Sequence, residues 1–204
     1  ARIHRFTTLI LGMNPLEHEY KVMGLSAYSK SKKHIGQTID IFREILDFED
    51  EKFIARKPLK DSYFDLKDRL EGHRFDNISA GLQEWSTDIT KKWVNFWMSK
   101  TKTTDLYFSG GLSMNVKTNG EILNDVKILN NLSVPASGGD ETISIGACYW
   151  YYKENIKKNV KHLSTMYLGT LDKIKLNKHQ YLKILEQYAD NTSHFKVEEN
   201  CTNA

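Results

Sequence analysis

Two glycine pairs, and the polar residues beside them, are the places where this chain could do chemistry. The first pair lies in "DLYFSGGLSMNVKTN", residues 105–119, where Gly110 and Gly111 follow a short apolar run. Lacking a Cβ, such residues let backbone N–H groups come close to a ligand. A helix that starts after the turn offers unpaired N–H groups and a partial positive charge, which suits phosphate. Asn115 and Asn119 fall one helical turn apart on one face of the following segment. Their carboxamides could read a ribose or a base edge. The second pair, Gly138 and Gly139 in "PASGGDETIS", is followed at once by Asp140 and then by an apolar segment. A carboxylate there could cap the helix, or it could hold a metal that also touches phosphate oxygens. Lys21 in "EYKVMGL" is a further candidate. Its ammonium could hold a phosphate as a point charge, or it could pair with Glu17 or Glu19.

Neither turn is a known phosphate signature. There is no G-K-[ST], and "SGGLSMN" does not fit G-x-G-x-x-G. Each turn alone is also what a tight strand-to-helix connection without a ligand looks like. The seven histidines include no His-x-x-x-His pair, so any metal bound at Asp140 needs further ligands.

The elements that must position these residues follow from spacing. Residues 3–12 place apolar groups on one helical face, with Gly12 as a stop. "LEHEYKVMGLSAYSK" reads as a short helix ending near Gly24, then a loop. Residues 37–46 form a helix with Ile41, Phe42 and Ile45 on one side. "ILDFEDEKFIARKP" offers two short strands around an acidic turn, and "DSYFDLKDRLEG" reads as a loop with one helical turn. The clearest helix is residues 76–99, with Asp76 as N-cap. Its apolar stripe is Ile78, Leu82, Trp85, Ile89, Phe96 and Trp97. Beyond it come a strand, the first glycine turn, a helix whose first turn holds Ser113, Met114 and Asn115, and a second strand. The second glycine turn then feeds a buried helix containing Cys148. Strands alternating with helices predict an α/β layer with a mostly parallel sheet and flanking helices. In such sheets ligands bind at the carboxyl ends of strands, where both glycine turns fall. After about residue 155 the pattern weakens, leaving one helix over 177–188 and a last strand in "SHFKVEEN".

Composition narrows the function class. The 204 residues carry a net charge of +3 with acids and bases interspersed, which gives no case for nucleic acid. No apolar run reaches the ~18 residues of a membrane span, and no signal peptide is visible. Two cysteines, Cys148 and Cys201, make no disulfide framework, so a reducing cytoplasmic compartment is expected. The chain begins at Ala1 with a helical pattern already running by the third residue, and so reads as a portion of a longer protein.

Taken in order, "EHEYKVMGLSAYSK", "YFSGGLSMNVKTNGEI" and "PASGGDETISIGACYWYY" resemble the nodulation-type carbamoyltransferases. That family includes the antibiotic O-carbamoyltransferases and is related to the hydrogenase-maturation carbamoyltransferase. "ISAGLQEWSTDITKKWV" sits where the family has a helix bearing a Gln, and "YLG" at 167–169 resembles its connector. The resemblance implies an actin/sugar-kinase-like (ribonuclease H-like) lobe, here a partial domain. Residues 1–165 would be the later part of the large domain, and 166–204 the connector and the start of the adenylate-forming domain. It also implies that carbamoyl phosphate and ATP give carbamoyl adenylate, whose carbamoyl group passes to the hydroxyl of a small-molecule acceptor. Gly110, Gly111 and Asn115 would line the adenylate. Asp140 would ligate a divalent metal, iron or similar, completed by a histidine pair from an earlier lobe. The chain departs from the family pattern at Thr142, where a glycine is usual, and at "SAYS", which stands for "APYG". Two other readings are a sugar-kinase-like phosphotransferase and a non-catalytic nucleotide-binding module. As a portion of the enzyme, the chain is expected to be inactive alone and to work with the remaining lobes.

Overall fold

The structure, a computed structural model, describes residues 2–135, 138–140 and 142–156. The expected helix over 177–188, the strand in "SHFKVEEN", the connector and Cys201 lie outside the described residues. In chain order the elements are α1 (Arg2–Ile10), α2 (Glu19–Leu25), a 3-10 turn (Ser26–Tyr28) and α3 (Lys32–Ile45), then β1 (Asp47–Glu49), β2 (Lys52–Ile54) and α4 (Phe64–Leu70). The long α5 (Phe75–Thr101) leads to β3 (Asp105–Tyr107), a second 3-10 turn (Gly111–Met114), α6 (Val116–Asp125), β4 (Asn131–Ser133) and α7 (Thr142–Ile156). The fold is mixed α/β. β1 and β2 form the expected antiparallel hairpin. β3 and β4 pair in parallel, with Leu106 opposite Leu132.

α5 organises the molecule. Its 27 residues extend about 40 Å at 1.5 Å per residue and reach two cores. The first gathers Phe42 and Ile45 from α3, Leu66 and Leu70 from α4, and Ile78, Leu82, Trp85 and Ile89 from α5. Phe42 stacks on Trp85 at 5.5 Å, and the indole N–H donates to the Leu46 carbonyl at 2.7 Å. α3 lies close on α5 because Gly81 has no side chain. A Cβ there would stand 2.1 Å from Thr38 Oγ1. That hydroxyl in turn donates to carbonyls of both helices, Ile35 at 2.8 Å and Asn77 at 2.9 Å. The second core joins Val94 and Met98 of α5 to Phe108, Ile122, Val126 and Leu129. Lys91 ties α6 to α5 through Asp125 at 2.7 Å and Glu121 at 3.2 Å. The Asp125 carboxylate is the main cause of a raised Lys91 pKa, with Glu121 adding to it.

Several expectations need correction. Asp76 is not the N-cap of α5. Arg74 is, and Asp76 sits in the first helical turn, where it accepts from the Asn77 amide at 3.0 Å and from two nitrogens of the Arg74 guanidinium. A carboxylate is favourable anywhere in that turn, because the exposed N–H groups carry partial positive charge, so composition alone does not fix which acidic position is the cap. "DSYFDLKDRLEG" holds a full helix, α4, whose Leu66 and Leu70 are buried one turn apart. In the stripe on α5, Ile78, Leu82, Trp85 and Ile89 are core and Phe96 packs against them, but Trp97 is 43% exposed. α7 is apolar yet has no buried residue, with Trp150 and Tyr151 exposed, and Cys148 is an exposed free thiol. A helix apolar on all sides carries no periodicity from which its packed face can be read.

Candidate functional site

The two glycine turns meet. The Gly110 amide donates to the Gly138 carbonyl at 2.6 Å. Gly138 is buried, and its own amide lies 2.9 Å from the Met114 sulfur. A Cβ on Gly138 would stand 2.0 Å from Ser113 Oγ, so only glycine allows this approach. Both turns follow parallel strands, and Phe108 continues the pairing by donating to the Ser133 carbonyl at 2.9 Å.

Within the first turn the two glycines differ. Gly110 has φ +100 and ψ 165, a conformation side chains rarely tolerate. Gly111 has no positive φ, and a Cβ built on it meets nothing within 4 Å among the described residues. Those residues therefore do not require glycine at 111 and leave the space above its backbone open. The segment after it is not the start of the α-helix. Gly111–Met114 is a 3-10 turn, and α6 begins at Val116 with Asn115 as its N-cap. An Asn can hold the non-helical N-cap backbone and accept from an early amide, which Asn115 Oδ1 does with the Thr118 N–H at 3.0 Å.

The two asparagines are placed unequally. Asn115 is buried, and its carboxamide is engaged with Gln83 of α5. Asn115 Nδ2 donates to Gln83 Oε1 at 2.8 Å, and Gln83 Nε2 donates back to Asn115 Oδ1 at 3.2 Å. Asn119 is half-buried. Its Nδ2 donates to the Ser113 carbonyl at 2.7 Å, while its Oδ1 is shielded and accepts no hydrogen bond among the described residues. A buried carbonyl oxygen of this kind is an open acceptor beside the turn.

Asp140 follows the junction, two residues after Gly138, and is exposed. It serves the chain through its backbone, whose carbonyl accepts from Ile143 at 3.1 Å. Its carboxylate meets no partner among the described residues. No group of three or more His, Cys, Asp or Glu side chains gathers among those residues, so they do not by themselves fit a metal.

Lys21 stands apart from the turns. Its contacts are local, with Nζ 2.9 Å from His18 Nε2 and 5.8 Å from the Tyr20 ring centre. The expected carboxylate partners are occupied elsewhere: Glu17 accepts from Asn14 Nδ2 at 3.3 Å and Glu19 from the Leu16 amide at 2.8 Å. The Asn14 amide also donates to His18 Nδ1 at 3.1 Å. A neutral imidazole has one acceptor nitrogen, so His18 can satisfy the amide or Lys21, not both. A cleft of about 550 Å³ lies away from the turns, lined by Asp40, Arg43, Glu44, Asp47, Glu49, Arg56 and Lys92. Its cations are already paired with carboxylates, Arg43 and Lys92 with Asp88 and Arg56 with Glu49. It is a solvated ion-pair network rather than a vacant site.

The family described as carbamoyltransferase N-terminus matches residues 2–149. The chain belongs to this family. Its match takes in α1 through most of α7, and so both glycine turns and their junction. The chain is also similar to an uncharacterized protein of Methanocaldococcus jannaschii, 27% identical over 195 residues, which covers 94% of this chain and 36% of that relative. It therefore spans little more than a third of the length of the curated relative. Among the described residues no helix is long and apolar enough to cross a membrane.

Sequence reading reached Gln83 only through the family resemblance and gave it no role. Its position gave little signal, since at about 100° per residue Gln83 falls outside the stripe of Ile78, Leu82, Trp85 and Ile89, on the face that also carries Thr87 and Val94, where a polar residue reads as solvated. What it would find there was not visible without the tertiary pairing to α6.

Proposed function

We propose that this chain is the portion of a carbamoyltransferase that holds the adenylate. The full-length protein would use ATP and carbamoyl phosphate to form carbamoyl adenylate. In the transfer, the acceptor hydroxyl oxygen bonds to the carbamoyl carbon and releases its proton to solvent, the carbon–oxygen bond to the phosphate breaks, and AMP departs with that bond's electron pair. The observation that carries this reading is the junction of the two turns, Gly110 N–H on the Gly138 carbonyl, inside the family-matched span. The same turn carries Gly111, at which a Cβ would meet nothing among the described residues, and holds Asn119 through the Ser113 carbonyl, with Asn119 Oδ1 unpaired among those residues. In this reading the Gly111 region approaches the phosphate, and Asn119 accepts from a ribose hydroxyl or an exocyclic amine. Such fixed dipoles contribute by orientation and by stabilising developing charge.

The finer assignments belong to the same proposal. The fold would be one actin/sugar-kinase-like lobe, with residues 1–165 in the large domain and 166–204 leading to the adenylate-forming domain, in a cytoplasmic enzyme. Lys21, which has no carboxylate partner among the described residues, would exchange its contact with His18 for a phosphate. Asp140 would contribute one oxygen ligand to a metal whose other ligands come from elsewhere in the full-length protein. The deciding experiment incubates the full-length protein with ATP, carbamoyl phosphate and a panel of sugars and other hydroxylated acceptors. Carbamoyl phosphate-dependent release of pyrophosphate, with AMP appearing when an acceptor is carbamoylated, is the expected result. ATP cleavage to ADP with phosphorylated acceptor would overturn it in favour of a phosphotransferase.

A further inference from the structure

The middle of α5 carries a buried polar cluster that its helical role does not require. Gln83 is 2% exposed, and Thr87, Asn115 and Thr118 are also buried. Gln83 Nε2 lies 3.1 Å from Thr87 Oγ1 and 3.2 Å from Thr118 Oγ1, and those two hydroxyls are 2.8 Å apart. The Gln83 and Asn115 carboxamides pair reciprocally. The orientation of the pair is fixed by the main chain. The Thr118 N–H requires an oxygen at Asn115 Oδ1, which makes Asn115 the donor to Gln83 Oε1 and Gln83 the donor in return. Each nitrogen and oxygen of the cluster has a polar partner, with the two Gln83 Nε2 hydrogens shared among three oxygens, and a buried network of this kind rigidifies what it joins. The element held is the bend between the 3-10 turn and α6, which begins at the glycine pair.

We propose that Gln83 is the positioning residue of the first glycine turn. Through Asn115 it fixes the backbone from Gly110 to Thr118 in the conformation that receives the adenylate; this rests on the adenylate-holding function proposed above. Asn115 accordingly acts by shaping the turn, since its carboxamide is turned inward, and ligand contact falls to the backbone and to Asn119. Gln83 works without touching the ligand. From α5 it presents a carboxamide that donates to Asn115 Oδ1 and accepts from Asn115 Nδ2 at the start of α6.

The test uses the full-length protein and Gln83→Leu, which keeps bulk but removes both hydrogen-bonding functions. Thr87→Val is the milder companion should the first variant fail to fold. Two measurements are made. Amide hydrogen exchange is expected to accelerate roughly tenfold or more at Gly110–Thr118, while amides of α3 and the β1–β2 hairpin keep their rates. ATP affinity by calorimetry is expected to fall by about the same factor. In an Asn115→Ala background, Gln83→Leu should then add little, because the two act as one unit. Uniform exchange changes across the protein would overturn the proposal, as would unchanged exchange in the turn or full additivity with Asn115→Ala. If the unaltered protein fails to bind ATP, the proposed function falls, and the exchange pattern alone decides whether Gln83 positions the turn.

Discussion

Three glycines at the junction should respond to the same added methyl in three different ways. Gly111→Ala places its Cβ in open space at a backbone without positive φ. Reducing the freedom of the unfolded chain should make this variant neutral or more stable by about 0.4–1 kcal/mol. Gly110→Ala forces a side chain into φ +100, ψ 165 and should lose about 1–3 kcal/mol. Gly138→Ala puts a Cβ 2.0 Å from Ser113 Oγ, which must move, and with it the contact between the turns. Overpacking of this kind costs about 1–3 kcal/mol. For a chain of this length each kcal/mol corresponds to roughly 2–4 °C in melting temperature. Binding should follow a different order. If the Gly111 backbone receives phosphate, the methyl that Gly111→Ala adds costs a charge-assisted hydrogen bond, about 1.5–3 kcal/mol, or roughly 10- to 150-fold in ATP affinity. Gly111→Ala should therefore separate stability from binding. The assay pairs thermal melting with calorimetric titration of ATP into each full-length variant. A Gly111→Ala protein with its melting temperature kept and its ATP affinity within about twofold of the parent would refute the reasoning. A melting loss as large as that of Gly110→Ala would show that the space above residue 111 is not free.

Gly81→Ala should destabilise by about 1–3 kcal/mol or more, since its Cβ would stand 2.1 Å from Thr38 Oγ1; Thr38→Ala in the same chain should recover part of the loss in urea unfolding. Asp65, Asp76 and Asp125 are held below the ordinary carboxylate range chiefly by hydrogen bonds from Arg69, Arg74 and Lys91 respectively. The unfolded chain therefore binds more protons in acid, so their stabilisation, full above about pH 4, is lost as pH falls toward the depressed values. Urea midpoints measured from pH 7 to 3 should decline accordingly, and Asp76→Asn should flatten part of the decline. Lys21→Ala is expected to weaken ATP binding with no change in melting temperature, and a loss that does not shrink as salt is raised would argue against a phosphate contact. Asp140→Asn should lower the metal content of the full-length protein by elemental analysis while leaving the fold intact.

The order of elements from α5 to α7 and the hairpin were legible because they rest on periodicity and on glycine punctuation, both local properties. Gly12 marks the end of α1 by its positive φ of 76°, as the sequence reading expects. Ile78, Leu82 and Trp85 were legible as core for the same reason. What local rules could not supply was partnership. Asn115 and Asn119 look alike in sequence, yet one faces Gln83 and the other keeps an open oxygen, a difference set by where α5 crosses α6. α4 escaped detection because seven residues with two buried leucines give too short a repeat to outweigh the surrounding aspartates and glycine. Cys148 and its neighbours were read as buried from their apolar character, which measures a tendency to be covered and not the presence of a cover.

The length of α5 ties the fates of its two ends. Phe96 packs against one apolar cluster, while Val94 and Met98 on either side of it belong to the other, so the same turns of α5 serve both. Separating the clusters would have to strip one face of α5 and leave its apolar side chains to water. The part that carries the glycine junction and the part that carries the hairpin should therefore melt together. A destabilising change at either end lowers the persistence of both.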